Sequence, residues 1–473
     1  MTEHRPVIAS GSHENRHVVI VGGGLSGAAV AWHLAKNTGE SGPRITLIEP
    51  RAEPGRGLAY STPDPDHRLN VPHVRMTLDI SEPDHYARWL ASGAAPQFPD
   101  DAVTETGAIF TPRAVFGAYV FAHLQPYLAT GRITHLQSRA RSASREGGVW
   151  RIRLEDGRPL TASDLVLAAS HPAPGLPQEL AALAGDAGLI ADAYAPGALD
   201  GVGAAEEVVI LGSGLTGADI VASLVRRGHQ GRVRLLSRSG RRSQPHGPEQ
   251  AEASADFTID PAVTAAGLLR RIRAELAIAA ADGLTWHPVF DRLRSQGPLI
   301  WAALPLNERR RLVRHLRGLW DIHRFRIAPQ THASLLAAEA SGQVEAIAGR
   351  IIRAARAGDR LRFTLRLRRG GEADFAADRV ILATGPAHGA VTKSNPFYAD
   401  LARQGLIKAD ALSLGIAATA EGQAIDASDK VQPDLYIAGP LARAAVGELM
   451  GVPEVTAWAE KIAALLAKAP ARV

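Results

Sequence analysis

The sequence predicts an α/β protein of two doubly wound parallel sheets, the second inserted within the first and itself interrupted by a helical insertion. Three observations carry this. The run His17-Val18-Val19-Ile20-Val21 leads into Gly22-Gly23-Gly24-Leu25-Ser26-Gly27. A second run, Val208-Val209-Ile210-Leu211, leads into Gly212-Ser213-Gly214-Leu215-Thr216-Gly217. Each G-x-G-x-x-G closes an apolar strand and opens a helix of small residues, the context a dinucleotide site requires. Finally, Leu165–Ser170 and Arg379–Gly385 are strand-like runs stopped by the Pro-rich link His171–Pro177 and by Pro386. Such abrupt stops read as crossings between two domains.

In each fingerprint one glycine makes the tight turn, one lets backbone approach a pyrophosphate, and one lets helix lie close to strand. Gly22, Gly24, Leu25, Ser26 and Gly27 form the first candidate site, and Gly212, Ser213, Gly214, Thr216 and Gly217 the second. Two Rossmann-like sites imply two dinucleotides and electron transfer between them. The expected division is a loose tail over 1–15, the first domain over 16–200 and 379–473, and the inserted domain over 201–378. The helical insertion covers about 246–330.

Composition narrows the chemistry. The 473 residues need more than one core, and 46% apolar with 21% charged residues is a globular balance. No apolar run reaches the ~18–20 residues that span a bilayer, and the polar first fifteen lack an export signal, so a cytoplasmic protein without a membrane partner is expected. Cysteine is absent. That excludes a dithiol relay, thiolate zinc and iron–sulfur clusters, and no metal is expected. The net charge of +5 comes largely from scattered arginines. Phosphate-bearing cofactors explain it more economically than nucleic acid, which is not an expected partner.

The second strand of the first unit, Arg44–Glu49, ends in a carboxylate where both ribose hydroxyls of an adenosine can be bound. Its counterpart in the second unit, Arg232–Arg238, ends in Ser237-Arg238 with no acid. Arginine can grip a 2′-phosphate that a carboxylate would repel, so the second site favours NADPH, with Arg241 or Arg242 able to share the task. Within the insertion, Leu312, Leu316, Leu319 and Trp320 recur at helical spacing behind Asn307, a candidate N-cap. Trp320, His323 and Arg324 are candidate substrate residues, Arg324 and Arg326 suiting an anionic molecule, against the plainer reading of amphipathic helix faces. Asp434–Gly439 is the last strand, and Pro453 opens a closing helix through about Lys468.

These features together resemble the two-dinucleotide-binding flavoproteins, which include flavin-containing and N-hydroxylating monooxygenases. A closer resemblance is to the bacterial FAD/NAD(P)-binding protein family. It rests on Gly57-Leu58-Ala59-Tyr60-Ser61, Leu69-Asn70-Val71-Pro72, Phe110-Thr111-Pro112-Arg113, Trp320-Asp321-Ile322-His323-Arg324, Gly439-Pro440 and Val452-Pro453-Glu454. The resemblance implies FAD at the N-terminal site and NAD(P)H at the inserted one. It also implies that Gly57, Tyr60, Asn70, Val71, Pro72 and Met76 lie along the flavin, and that the last helix aims its N-terminus at the flavin ring. Where many flavoproteins end the last strand in Gly-Asp, this chain has Gly439-Pro440, and the F-x-G-x-x-x-H-x-x-x-W pattern of Baeyer–Villiger enzymes is absent.

The expected function is an FAD- and NADPH-dependent monooxygenase that oxygenates a small amine, sulfur or anionic molecule with molecular oxygen, through a flavin peroxide. The alternatives are an NADPH-dependent flavin reductase with a non-oxygen acceptor, or a flavin-bound sensor. The cofactor supplies the difficult chemistry, so catalytic residues, substrate identity and oligomeric state leave no mark in the sequence.

Overall fold

The computed structural model describes residues 16–169 and 171–469. The expected tail 1–15 and the strand end at Ser170 lie outside the described residues.

The first sheet runs in the order Gln423–Ile425, Val431–Ile437, Asp164–Leu167, His17–Val21, Arg44–Ile48, Ile133–Leu136. All neighbours are parallel except the edge pair Gln423–Ile425 with Val431–Ile437. Every side chain of His17–Val21 is buried. A strand covered on both faces by helices reads as this kind of unbroken apolar run. Leu25–Thr38 and Val452–Lys468 pack together over the sheet, burying Ala28, Leu34, Ala459, Ile462 and Ala463. A separate antiparallel sheet, Ala140–Glu146, Val149–Leu154 and Pro159–Ala162, lies outside the parallel layer.

The second sheet runs Glu372–Ala377, Arg360–Leu367, Val344–Ala357, Val233–Ser237, Val208–Leu211, Arg379–Leu382, Leu189–Ile190. Its last five strands are parallel. This corrects both expected boundaries. Arg379–Leu382 does not resume the first domain; it pairs with Val208–Leu211 in the second. Ala193 and Leu199, placed by sequence in the first domain, belong to the second core. The chain therefore crosses between Leu167 and Leu189 and returns after Leu382, where Val391, Phe397 and Leu401 join the first core.

The insertion is helical, as expected. Helices Ala265–Ala281, His287–Ser295, Gly297–Ala303, Leu306–His315 and Arg317–Arg324 close on a core of their own around Phe257, Leu268, Val289, Leu293, Ile300 and Leu304. Thr264 caps the first of these, its Oγ1 accepting the Gly267 amide. The single helix expected behind Asn307 is two, broken at Leu316, and Pro305 holds the N-cap position. The two ends of the insertion meet in a neck: Pro245 bridges Ile327, and Gln244 exchanges backbone hydrogen bonds with Ile322 and Ile327. Among the described residues no helix is long and apolar enough to cross a membrane.

The two units are tied by buried polar contacts. Arg113, after the Phe110-Thr111-Pro112 run, pairs with Asp219 at 2.6 Å, and Tyr194 donates its hydroxyl to the same carboxylate at 2.8 Å. His67 meets Ser223 at 3.2 Å, and Arg226 reaches Asp64 at 3.0 Å. Asp219, Ser223 and Arg226 all stand on Leu215–Arg226, the helix that follows the second fingerprint.

Candidate functional site: two glycine cradles and their surroundings

In the first cradle Gly22 has φ +102°, and a Cβ there would lie 2.6 Å from the Ala168 carbonyl. A Cβ on Gly27 would collide with the Gly22 carbonyl. The protein's own backbone accounts for both glycines. Gly24 is different: a Cβ would meet only Gly57 Cα, at an ordinary 3.4 Å. The space beside Gly24 is left for something else, as a pyrophosphate on the amides of a helix N-terminus requires. Gly439, at φ +74°, comes so close to Ser26 that any side chain would strike the serine hydroxyl. Ser26 thus sets the helix start against the end of the last strand.

Glu49 is buried at 4% exposure. Its Oε2 accepts the Gly23 amide at 2.9 Å and its Oε1 accepts Arg51 Nη1 at 3.1 Å. The carboxylate is therefore held against the turn it serves. Beside it, at the carboxyl ends of the first two strands, opens a cleft of about 410 Å³ lined by Gly22, Ile48, Pro50, Ser138, Arg141 and Phe397. This is the ligand position of open parallel sheets. Ser138, Arg141 and Phe397 come from a loop, the strand Ala140–Glu146 and a distant helix with no motif, and sequence reasoning missed them.

The second cradle repeats the backbone. Gly212 has φ +126° with the Ala383 carbonyl against it, Gly217 lies over the Gly212 carbonyl, and nothing stands within 4 Å of a Cβ on Gly214. Thr216 receives the Tyr194 hydroxyl at 3.4 Å. Ser213 donates its hydroxyl to the Arg241 carbonyl at 2.7 Å, which ties the arginine-bearing loop to the fingerprint. Ser237 accepts the Gly240 amide at 3.0 Å and so shapes that loop. Arg238 and Arg241 are exposed and form no ion pair among the described residues, while Arg242 is committed to Glu339.

The segments expected along the flavin take several positions. Half-buried Asn70, Val71 and Pro72 line a small pocket with His246, Arg294 and Arg324, and the Asn70 carbonyl accepts His246 Nε2 at 3.0 Å. Gly57, at φ +53°, backs onto Gly24. Tyr60 packs edge-on to Phe116, and burial pushes its phenol up to about 12. Met76 departs from expectation: it is 1% exposed and belongs to the first core. At the two crossings His171 and His388 meet with their Nδ1 atoms 3.1 Å apart. Burial lowers His171 to about 4, and burial with the neighbouring ring lowers His388 to about 2, so both rings are neutral near pH 7.

The expected substrate residues need a larger correction. Arg324 is buried and already faces two carboxylates, Glu448 at 3.1 Å and Glu454 at 3.4 Å. Glu454 is also held by Arg294 at 2.6 Å. Arg324 ties the insertion to the C-terminal segment, and its charge is already met by two carboxylates. Arg326 likewise pairs with Asp291 at 2.7 Å. His323 stacks on Phe290, centroids 4.7 Å apart, with its Nδ1 bonded to the Leu319 carbonyl. Trp320 faces a largely apolar cavity of about 210 Å³ between the insertion and the segment Arg443–Met450, while His323 and Arg324 edge the small pocket beside Asn70–Pro72. The first turn of Val452–Lys468 carries Glu454, whose charge offsets the positive helix end expected to serve the flavin.

Residues 19–172 match the model of a family described as FAD-NAD(P)-binding, so the first unit carries an FAD/NAD(P)-binding domain. No curated protein sequence matches the chain. Among solved structures it is similar to ornithine hydroxylase from Pseudomonas aeruginosa, with 15% identity over 96% of this chain and 99% of that one and a TM-score of 0.64. L-lysine 6-monooxygenase from Pseudomonas syringae gives 17% identity over 95% and 98%, with a TM-score of 0.62. Ornithine N-hydroxylase from Kutzneria sp. 744 gives 14% over 95% and 98%, with a TM-score of 0.60. At these identities the likeness is one of fold, that of two-domain FAD/NADPH flavoproteins.

Proposed function

We propose that this protein is an FAD-dependent monooxygenase that draws electrons from NADPH and oxygenates a small molecule. The observation that carries the reading is the pair of cradles. Gly24 and Gly214 are the two fingerprint glycines whose identity the protein's own packing does not demand, so a bound dinucleotide at each is the economical reason for them. Buried Glu49 suits the adenosine ribose of FAD, and exposed Arg238 and Arg241 suit the 2′-phosphate of NADPH. The fold is shared with ornithine and lysine hydroxylases, one of them solved with reduced FAD, NADP+ and L-ornithine.

Bound FAD would supply hydride acceptance and the chemistry of oxygen. The chain's part is to bind and to exclude water. The amides at the two helix starts hold the pyrophosphates. Arg113, Tyr194 and Asp219 fix the second unit against the first, and so would set how the two bound cofactors face each other. On this reading the apolar cavity between the insertion and Arg443–Met450 would cover the reacting groups, where water would divert the reaction. An enzyme of this kind works where NADPH is regenerated, and the cytoplasm is the compartment the reading implies.

The test is oxygen accounting on FAD-loaded protein. NADPH oxidation should be accelerated by substrate, and label from 18O2 should enter the product. NADPH oxidation that proceeds equally well without oxygen, onto a dye acceptor, with no label incorporated, would instead assign a reductase.

A further inference from the structure

We propose that the cavity between the helical insertion and the C-terminal segment is a binding site for an apolar monocarboxylate, with the buried guanidinium of Arg443 receiving its carboxylate. As an assignment of substrate the inference rests on the monooxygenase reading; as an assignment of a ligand site it stands alone.

The wall is apolar: Leu268, Ile300, Leu304, Leu316, Trp301 and Trp320 supply most of it. An apolar body is favoured there by the area it removes from water. One end of the cavity is charged, and not every charge there is paired. Arg317, Asp321, Arg443 and Glu448 face it. Asp321 is paired with Arg317 at 3.5 Å, Glu448 with Arg324 at 3.1 Å, and the adjoining Glu454 with Arg294 at 2.6 Å. Three carboxylates thus meet three arginines. Arg443 is the fourth, and it is left over.

Arg443 is only 7% exposed, its Nε has no hydrogen-bond partner, and its side chain makes no ion pair among the described residues. Asp410, the next carboxylate to act on it, accepts the amides of Leu412, Leu414 and Gly415 and forms no ion pair with Arg443 among the described residues. The neighbouring His171 and His388 are neutral rings and bring no negative charge. A buried guanidinium without a counter-ion is strongly unfavourable, and a chain keeps one where a ligand supplies the anion. A single unpaired guanidinium calls for a monoanion rather than a phosphate. Arginine's planar fork matches a carboxylate with two parallel N–H donors. The apolar wall then selects an alkyl or aryl acid over a free inorganic anion.

Calorimetry on the FAD-loaded protein with decanoate, decanol and decylamine tests this, the three probes differing only in the head group. Decanoate should bind at least tenfold more tightly than either of the others. Arg443→Gln should abolish that preference while decanol binding stays unchanged, Arg443→Lys should keep part of it, and Val313→Trp, which fills the cavity, should weaken all three probes. Equal binding of decanoate and decanol to the parent protein, a preference that survives Arg443→Gln, or no binding of any probe overturns the proposal. Loss of FAD from Arg443→Gln also overturns it, since the arginine would then serve the cofactor. Decanoate binding that never accelerates NADPH oxidation would sink the monooxygenase reading and leave the site standing. Accelerated turnover of another substrate without decanoate binding would do the reverse.

Discussion

In the first unit the strand-end carboxylate of Glu49 is buried and already bonded to the Gly23 amide, whereas the second unit ends the corresponding strand in Ser237 and an exposed Arg238. The backbones are near copies: a positive-φ first glycine, an open middle glycine and a third glycine under the helix in both. The surroundings are not. The first cradle sits in the larger apolar core and beside a formed cleft, while the second presents its cations to solvent on a loop tethered through Ser213. A pre-bonded, buried acid suits a group that stays, and exposed arginines suit one that comes and goes. Shared glycine geometry thus says that a dinucleotide binds; the residue at the end of the next strand says which one and how firmly.

The sharpest way to break this comparison is to block each middle glycine in turn. Gly24→Val should yield protein without FAD, seen as loss of the yellow absorbance. Gly214→Val should leave FAD in place and weaken NADPH by roughly 100-fold, on the order of 3 kcal/mol, in a titration of flavin reduction. If both variants lost FAD, the two cradles would not be independent sites.

Next in size is the tie between the units. Arg113→Ala leaves buried Asp219 without its cation and should cost about 3–5 kcal/mol in denaturant unfolding. The double replacement Arg113→Met with Asp219→Leu should recover most of that loss, because an apolar pair leaves no uncompensated charge. Equal losses in the single and double variants would mean that packing, not charge, holds the units together.

Nicotinamide choice sharpens the contrast in charge. Arg238→Ala should lose roughly 1.5–3 kcal/mol of NADPH binding, the worth of one charged hydrogen-bonding contact, with NADH almost unaffected. A parent enzyme that prefers NADH, or a variant that loses both equally, contradicts the assignment. Arg241→Ala is the companion variant, since both arginines are unpaired.

The smallest expected effect concerns acid. Burial lowers His17 and His246 to about 4, as it does His171, and His388 falls to about 2. Above pH 6.5 these rings are neutral in folded and unfolded chains alike, and stability is complete. As pH falls from 6.5 towards 4 the unfolded chain takes up protons that the folded one refuses, and stability is lost. Three of the four lie at the crossings or the neck, so the junction should loosen before either sheet. Calorimetric scans should show the melting temperature dropping by roughly 5 °C or more over that range; a flat profile would mean that the rings are solvated.

Much of this was legible in the chain because it is local. Both cradles, Glu49, the absence of an acid after Val233–Ser237 and the closing helix Val452–Lys468 follow from short runs. The boundaries near 200 and 379 did not follow, because Arg379–Leu382 looks the same whichever sheet it joins and only its pairing with Val208–Leu211 decides. Arg324 misled for a related reason: its partners Glu448 and Glu454 stand 124 and 130 residues away. Arg443 was missed altogether. Nothing in a sequence marks an arginine whose importance is that its neighbours are already taken.

The neck of the helical insertion has one further consequence. The chain enters at Gln244-Pro245 and leaves at Ile327, and these ends are hydrogen-bonded to each other before either reaches the second sheet. To the parallel strands behind it, everything from His246 to Arg326 is one closed loop of fixed width. Closely spaced ends are the condition under which one folded unit can be carried inside another without disturbing it. The insertion is thus a cassette, and a different set of helices grafted at the same two points would inherit both cradles unchanged while presenting them with a new cavity wall.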